Sequence, residues 1–189
     1  NPANGSPITV PSQDMVLGLY YMTKARNSTK DHKVKGEGLT FYSADEVNIA
    51  FNEGKVDLNA TVKIRAKDFN DAGELVYQII DTTVGRILFN QHVPEKAGYI
   101  NQVLTKKSLR GIIGGILKVT SVPETAEFLD KIKEMGFSFA FKGGLSFSLG
   151  DIIIPQEKIG LIDQANEQVD GIIANYNMGL ITNNERYNQ

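Results

Sequence analysis

Two groups of polar and charged residues are the places where this sequence of 189 residues could do chemistry. Gln13 and Asp14 stand between two apolar runs, where they form either a surface turn or a pair that faces a ligand. Lys106, Lys107 and Arg110 form a basic cluster, which is either a solvated helix face or a contact for phosphate or nucleotide. The residue types alone leave both interpretations open at each place.

Other catalytic and metal chemistries find little support. The sequence has no cysteine, which excludes disulfides and thiolate metal sites. His32 and His92 are its two histidines, and neither lies in a spacing typical of a zinc site or of a Ser–His–Asp set. The glycine-rich stretch 142–151 matches neither common phosphate-binding loop, so we interpret it as a site of tight backbone packing. Paired carboxylates are not excluded as acid and base, but nothing singles out a pair.

The composition is that of an ordinary globular chain. Hydrophobic residues make up 41% of the sequence and charged residues 22%, and the net charge is −2. This balance neither favours nor excludes nucleic acid as a partner. Because no apolar stretch approaches the roughly 18 residues that span a bilayer, and no signal peptide is visible, we expect a cytoplasmic protein.

The first half of the chain is predicted to be rich in strands. Residues 8–23 are interpreted as one or two short strands, or as a strand followed by a half-buried segment. A capping-box pattern predicts a helix over 43–54. Alternation over 55–67 and a returning run over 74–80 predict a hairpin with one solvated face. Residues 81–86 are expected to interrupt the returning strand.

The second half is predicted to be helical. Apolar residues recur at helical spacing from 109 to 117, and a second capping box at 121–124 begins a helix that we expect to end at Gly136. A proline then opens a long helix over about 155–178. The apolar residues of this helix alternate at spacings of three and four, which is typical of a coiled-coil seam: Ile162, Ala165, Val169, Ile172 and Tyr176.

These elements predict an α+β fold in two parts. Residues 1–154 would form short mixed or antiparallel strands packed with helices, and residues 155–189 a protruding long helix. A seam this narrow needs one partner helix, which would begin near Glu185, so we expect half of an antiparallel coiled-coil hairpin. Because the chain also opens without a methionine, we expect both ends to be cuts through a larger protein.

Several stretches together resemble the largest-subunit family of multisubunit RNA polymerases, and within it the bacterial β′ subunits. The resemblance runs in order along the whole chain and is most specific in its first two motifs. The matching stretches are NPANGSP at 1–7, VPSQDMVLGLYYMT at 10–23, DTTVGR at 81–86, NQVL at 101–104 with the lysines at 106 and 107, residues 136–151, GLIT at 179–182 and ERYN at 185–188.

The resemblance implies a place in the transcription machinery. Residues 1–154 would be the pore domain that lines the secondary channel, through which nucleotides enter and the 3′ end of backtracked RNA emerges. Residues 155–189 would begin the funnel and include the first rim helix, where secondary-channel factors of the Gre type dock. The implied partners are the β, α and ω subunits, with DNA bound only by the complete complex and no membrane involved.

The resemblance also implies roles for individual residues. Gln13 would contact the nucleotide or the RNA 3′ end, with Asp14 fixing the turn, and the basic cluster would attract nucleotides by its charge. Glu185, Arg186 and Asn188 would form the factor-binding rim tip. The aspartates that hold the catalytic magnesium in this family lie in a motif that is absent here. We therefore expect the fragment to hold no metal and to be inactive by itself, although it belongs to a nucleotidyltransferase.

Two other classes of function remain as alternatives on the residues. A free-standing interaction module would use the helical arm to recruit partners. A small enzyme would use the basic cluster on a phosphorylated substrate, and would then turn over nucleotides as an isolated chain.

Overall fold

A computed structural model describes residues 3–5, 7–29, 32–70, 73–146 and 148–189. Parts of the opening motif, the predicted hairpin turn and the glycine-rich stretch lie outside these described residues. Within them the chain has the predicted α+β composition, and it divides into two compact units, Asn1–Leu145 and Ser146–Gln189. The elements are α1 Asp14–Thr23, β1 Thr40–Phe41, α2 Ala44–Asn52, β2 Thr61–Phe69, β3 Leu75–Thr83, α3 Val84–Asn90, α4 Lys106–Val119, α5 Val122–Gly143, α6 Glu157–Asn177 and α7 Asn183–Asn188.

The sheet of the first unit has the strand order β1-β2-β3. β2 and β3 form the predicted antiparallel hairpin, and β1 pairs with β2 in parallel. Val62 and Ile64 are buried on the inner face, as the alternation requires. β2 begins at Thr61 rather than at 55, because the preceding residues wrap around the end of α1. There the amide of Asn59 donates to the carbonyls of Tyr21 and Lys24, each at 2.8 Å.

The prediction of strands over residues 8–23 is wrong, because residues 14–23 form helix α1. The run is apolar at almost every position, so its periodicity cannot distinguish a buried strand from a buried helix. α1 packs closely against α5: a Cβ atom at Gly18 would lie 1.9 Å from the carbonyl oxygen of Gly136. Leu19 and Met22, on the same helix, are fully buried in the core.

The predicted end of the second long helix at Gly136 is also wrong. α5 continues to Gly143, and its C-cap is Gly144, which has the left-handed conformation that favours glycine. Gly136 instead serves the helix contact, since a Cβ there would stand 2.6 Å from the carbonyl oxygen of Met15. The glycine pattern signalled a close approach of two backbones rather than a helix terminus.

Residues 81–86 do not interrupt β3, which runs on through Thr83. The chain then turns directly into α3, which the sequence prediction missed. The hydroxyl of Thr83 caps this helix by accepting from the backbone N–H of Arg86 at 3.3 Å. α3 contributes Phe89 to the core, where its ring meets that of Phe128 edge to face with centroids 6.1 Å apart.

The capping box at 121–124 and the amphipathic helix α4 are confirmed, whereas at 43–46 the Ser43 hydroxyl accepts from Glu46 N but the Glu46 carboxylate accepts from Tyr42 N instead of Ser43 N. Ser121 and Glu124 exchange the two expected hydrogen bonds at the start of α5. In α4 the apolar stripe buries Leu109, Ile113 and Ile116, which fixes the opposite face toward solvent.

The second unit contains the long helix at the predicted place. α6 ends where Gly179 adopts a φ of 76°, and the Leu180 N–H donates to the Asn175 carbonyl at 3.0 Å. No residue of α6 is buried among the described residues. The apolar seam predicted from its spacing is therefore uncovered in this chain.

Candidate functional site

Gln13 adopts an unusual backbone conformation at an exposed position. Its φ is 50° and its ψ is −125°, and it is the one non-glycine residue with a positive φ in the described part of the chain. The turn is closed by the Met15 N–H, which donates to the Ser12 carbonyl at 3.2 Å. Such conformations cost on the order of 1–3 kcal/mol for residues with a Cβ, and they cluster at functional sites.

Asp14 is the first residue of α1 and is exposed. Its carboxylate makes no hydrogen bond to any residue that the structure describes, so the turn is held by backbone contacts. Its negative charge at the helix N-terminus is favourable to the helix. Helix α1, which follows the turn, packs closely against α5, because Gly18 has no side chain to keep the two helices apart.

The other end of α1 is fixed by a hydrogen-bonded network. The hydroxyl of Thr23 donates to Leu19 O at 2.7 Å and accepts from the buried N–H of Leu104 at 3.0 Å. The Thr23 carbonyl accepts from Nε of Arg86 at 3.0 Å, and the same guanidinium reaches Oδ1 of Asn101 at 3.0 Å. This network joins α1, α3 and the segment before α4.

Burial shapes the titration of the groups in this network. It lowers the pKa of Arg86, although the neighbouring Tyr99 opposes the shift. Burial raises the pKa of Tyr99 to about 12, against a smaller opposing contribution from its hydrogen bond to Thr82. Tyr99 therefore stays protonated near neutrality, as expected of a positioning residue rather than of a proton-transfer group.

The basic cluster lies at the start of α4. Lys106, Lys107 and Arg110 are all exposed, and none of them forms an ion pair with a described residue. The helix begins with a capping box in which Thr105 and Ser108 bond reciprocally. Burial of Leu109 on the opposite stripe holds the three cations on the solvated face.

The structure does not join the basic cluster to the Gln13 turn. The cluster follows Leu104, which contacts Thr23 at the C-terminal end of α1. Gln13 stands at the other end of this 10-residue helix, about 15 Å away along its axis. The two groups are linked by one rigid element rather than by a direct contact.

The predicted rim-tip residues lie on the short helix α7. The Glu185 carboxylate accepts from Thr182 N at 2.7 Å, and this hydrogen bond and that of the Thr182 hydroxyl lower the pKa of Glu185. The Arg186 guanidinium bonds Asn183 and lies 5.0 Å from the ring centre of Tyr176. Asn188 is exposed. Glu185 thus has a capping role that the sequence prediction did not assign.

The described residues offer neither a metal-binding cluster nor a membrane-spanning helix. They contain no group of three or more histidine, cysteine, aspartate or glutamate side chains that could hold a metal ion. None of their helices is both long enough and apolar enough to cross a bilayer. Burial lowers the pKa of His92, which keeps that imidazole neutral near pH 7.

The sequence is similar to known proteins of one family over its whole length. Residues 1–152 match the family described as RNA polymerase Rpb1, domain 3, and the chain belongs to this family. Over all 189 residues the chain is 75% identical to the DNA-directed RNA polymerase subunit beta' of Flavobacterium johnsoniae. The corresponding identities are 72% for Flavobacterium psychrophilum and 58% for Bacteroides fragilis.

The chain spans only a small part of these relatives. Each alignment covers 100% of this chain and 13% of the relative's length. The resemblance to the largest-subunit family is confirmed, and the chain corresponds to a part of a β′ subunit.

Sequence reasoning missed the network around Thr23 and Arg86. Its signal was present, since residues 81–86 and 101–104 stand among the stretches that matched the family. The resemblance identifies those stretches as family motifs and assigns them no structural role. The structure gives them a physical role, because Arg86 and Asn101 join the segments that carry the Gln13 helix and the basic cluster.

Proposed function

We propose that this chain lines the secondary channel of a bacterial RNA polymerase, as part of its β′ subunit. Residues 1–154 form the pore domain, and residues 155–189 begin the funnel. Nucleoside triphosphates pass this wall to reach the active centre, and the 3′ end of backtracked RNA leaves along it. The observation that carries the proposal is the strained, exposed Gln13 turn in a chain of this family.

Gln13 contacts the nucleotide or the RNA 3′ end. A carboxamide both donates and accepts hydrogen bonds, so it can bind sugar and phosphate without reading base edges. This suits a site that accepts four different nucleotides. The positive φ holds the residue at the exposed start of a helix whose other face is fixed against α5.

The basic cluster raises the electrostatic potential of the channel. Lys106, Lys107 and Arg110 have no described carboxylate partner, so their charge is available to attract polyanionic nucleotides. The cluster acts at a distance from Gln13. Its attraction weakens as salt is added, because mobile ions screen the charges over a Debye length of about 10 Å at 0.1 M ionic strength.

The second unit docks channel-binding factors. α6 is the first rim helix, and Arg186 and Asn188 on α7 contact Gre-type factors at the rim tip. Glu185 acts there by capping α7, as its hydrogen bonds to Thr182 indicate.

The chemistry itself belongs to the complete enzyme. In the complete enzyme, magnesium promotes phosphoryl transfer and is held by residues outside this chain. The described part of this chain has no group of side chains that could hold a metal ion. The isolated chain is inactive, and it acts in the cytoplasm together with the β, α and ω subunits.

Single-nucleotide addition by assembled polymerase tests the role of Gln13. We expect Gln13→Ala to lower kcat/KM by about tenfold or more, the value of a hydrogen bond to a charged group, and by a similar factor for all four nucleotides. Gln164→Ala, at an exposed position of α6, is the matched control and should have no effect. Unchanged kcat/KM in Gln13→Ala, or a loss for one base alone, would refute the proposed contact.

A further inference from the structure

The outward face of the β2–β3 hairpin is unusually apolar. By the strand register, Arg65 lies beside Ile79, and Lys67 beside Tyr77. Neighbouring residues in such pairs point to the same face of the sheet. Tyr77 is 56% exposed and Ile79 68% exposed, whereas the outward row of a solvated sheet is normally polar. An exposed apolar row on a sheet face is typical of an interaction surface.

A clamped arginine lies next to this apolar row. The Arg65 guanidinium lies 4.2 Å from the ring centre of Tyr77 and 5.0 Å from that of Tyr42. The two aromatic rings thus hold the Arg65 guanidinium in place. The side chain therefore loses less conformational entropy when a partner binds to it. Tyrosine and arginine are also the residue types most enriched at interface hot spots.

Among the described charges on this face, Arg65 is the cation without a counter-ion. Lys63 pairs with Asp81 at 3.7 Å, and Lys67 pairs with Glu95 at 3.2 Å. The Arg65 guanidinium has neither an ion pair nor a hydrogen bond with any residue that the structure describes. Among the residues that the structure describes, this face therefore offers one cation without a carboxylate partner, placed between aromatic rings and beside an apolar row.

A cleft of about 450 Å³ opens beside Arg65. Its walls come from β2, from the start of α2 and from residues 91–99, and Tyr42, Tyr77 and Tyr99 line it together with Arg65. This volume lies within the range of sites that enclose small groups, which leaves room for a side chain beside Arg65.

We propose that this face is a docking surface for another polypeptide. The partner segment presents a carboxylate to Arg65, flanked by apolar side chains that cover Tyr77 and Ile79. The unpaired charge requires the carboxylate, and the exposed row requires the apolar neighbours. This surface is separate from the Gln13 turn and the basic cluster.

A nucleic-acid partner is the less favoured occupant. Phosphate backbones are bound by several unpaired cations, and two of the three on this face are already matched by Asp81 and Glu95. The aliphatic side chain of Ile79 also offers no ring on which a base could stack.

Photo-cross-linking in the assembled polymerase tests the proposal. The complete subunit is prepared with p-benzoylphenylalanine in place of Ile79, and its cross-linked peptides are identified by mass spectrometry. We expect a polypeptide segment that contains aspartate or glutamate among apolar residues. Arg65→Ala should lower the cross-link yield by about tenfold or more.

Lys63→Ala is the matched control, because it removes a cation from the same strand and face but one already paired with Asp81. Its yield should change less than twofold. Cross-links to RNA or DNA alone, no cross-link, or equal losses in the two variants would each overturn the proposal. Co-purification of the variant with the other subunits reports separately on the proposed function.

Discussion

Replacing Gly18 by alanine should separate helices α1 and α5. A Cβ at this position would lie 1.9 Å from the carbonyl oxygen of Gly136 and 2.7 Å from the backbone N of Ala140. Non-bonded carbon atoms rest about 3.5 Å or more from their neighbours, so the helices must move apart by more than about 1 Å. Both obstructing atoms are backbone, which leaves no side chain free to rotate away.

The expected cost exceeds the gain in helix propensity. Overpacking of this kind costs about 1–3 kcal/mol, and more where backbones collide, whereas Gly→Ala in a helix gains about 1 kcal/mol. With a net loss of about 2 kcal/mol, the Tm of a chain of this size should fall by about 4–8 °C. Urea unfolding followed by circular dichroism gives the free energy of unfolding directly.

Gly111→Ala is the matched control for this measurement. Gly111 lies in α4, and no atom comes within 4 Å of a Cβ built on it. This variant should be more stable by up to about 1 kcal/mol, since only the propensity changes. Equal stabilisation by Gly18→Ala and Gly111→Ala would refute the close α1–α5 contact that supports the Gln13 turn.

Three further predictions concern the supports of the site. Thr23→Val should cost about 1–3 kcal/mol in unfolding free energy, because it leaves the buried N–H of Leu104 without its acceptor; Thr23→Ser is the control. The pKa of Tyr99 is about 12 in the folded chain, above its ordinary value of 10.0, so the free energy of unfolding should fall as pH rises from 10.0 to about 12; the ultraviolet absorbance of the phenolate measures the titration. Ser121→Ala should cost about 1 kcal/mol and return the depressed pKa of Glu124 toward its ordinary value, measured by NMR titration.

The parts of the fold that local patterns determine were predictable. The Ser121 box, the stripe of α4 and the Gly179 terminus depend on residues within one or two helical turns, and all three are confirmed. The hairpin was predictable for the same reason, since its alternation has a period that only a strand satisfies.

The failures share a tertiary cause. Residues 14–23 are apolar at almost every position, so only their burial between neighbours decides that they form a helix. Gly136 resembles a helix terminus locally, and only the approach of Met15 explains it. The Arg86 network joins residues 63 positions apart, a distance that no local pattern records.

The sequence names the residues of the candidate site, whose roles stay a prediction, but it does not determine their geometry. The spacing of Lys106, Lys107 and Arg110 indicates one exposed face, which the structure confirms. The positive φ of Gln13 could not be read from residue types, because asparagine and glycine are the usual signals for it. The carboxylate of Glu185 was assigned to a partner, although its capping pattern with Thr182 was visible in the sequence.

Cross-linking from the RNA 3′ end tests the central claim most directly. Elongation complexes of the polymerase that contains this chain are prepared with a 3′-terminal 4-thiouridine and irradiated, and the modified peptide is identified. The account predicts cross-links within residues 7–17, around the Gln13 turn, in active or backtracked complexes. Cross-links that fall entirely outside residues 1–152, with Gln13→Ala as active as the unmodified enzyme, would contradict it.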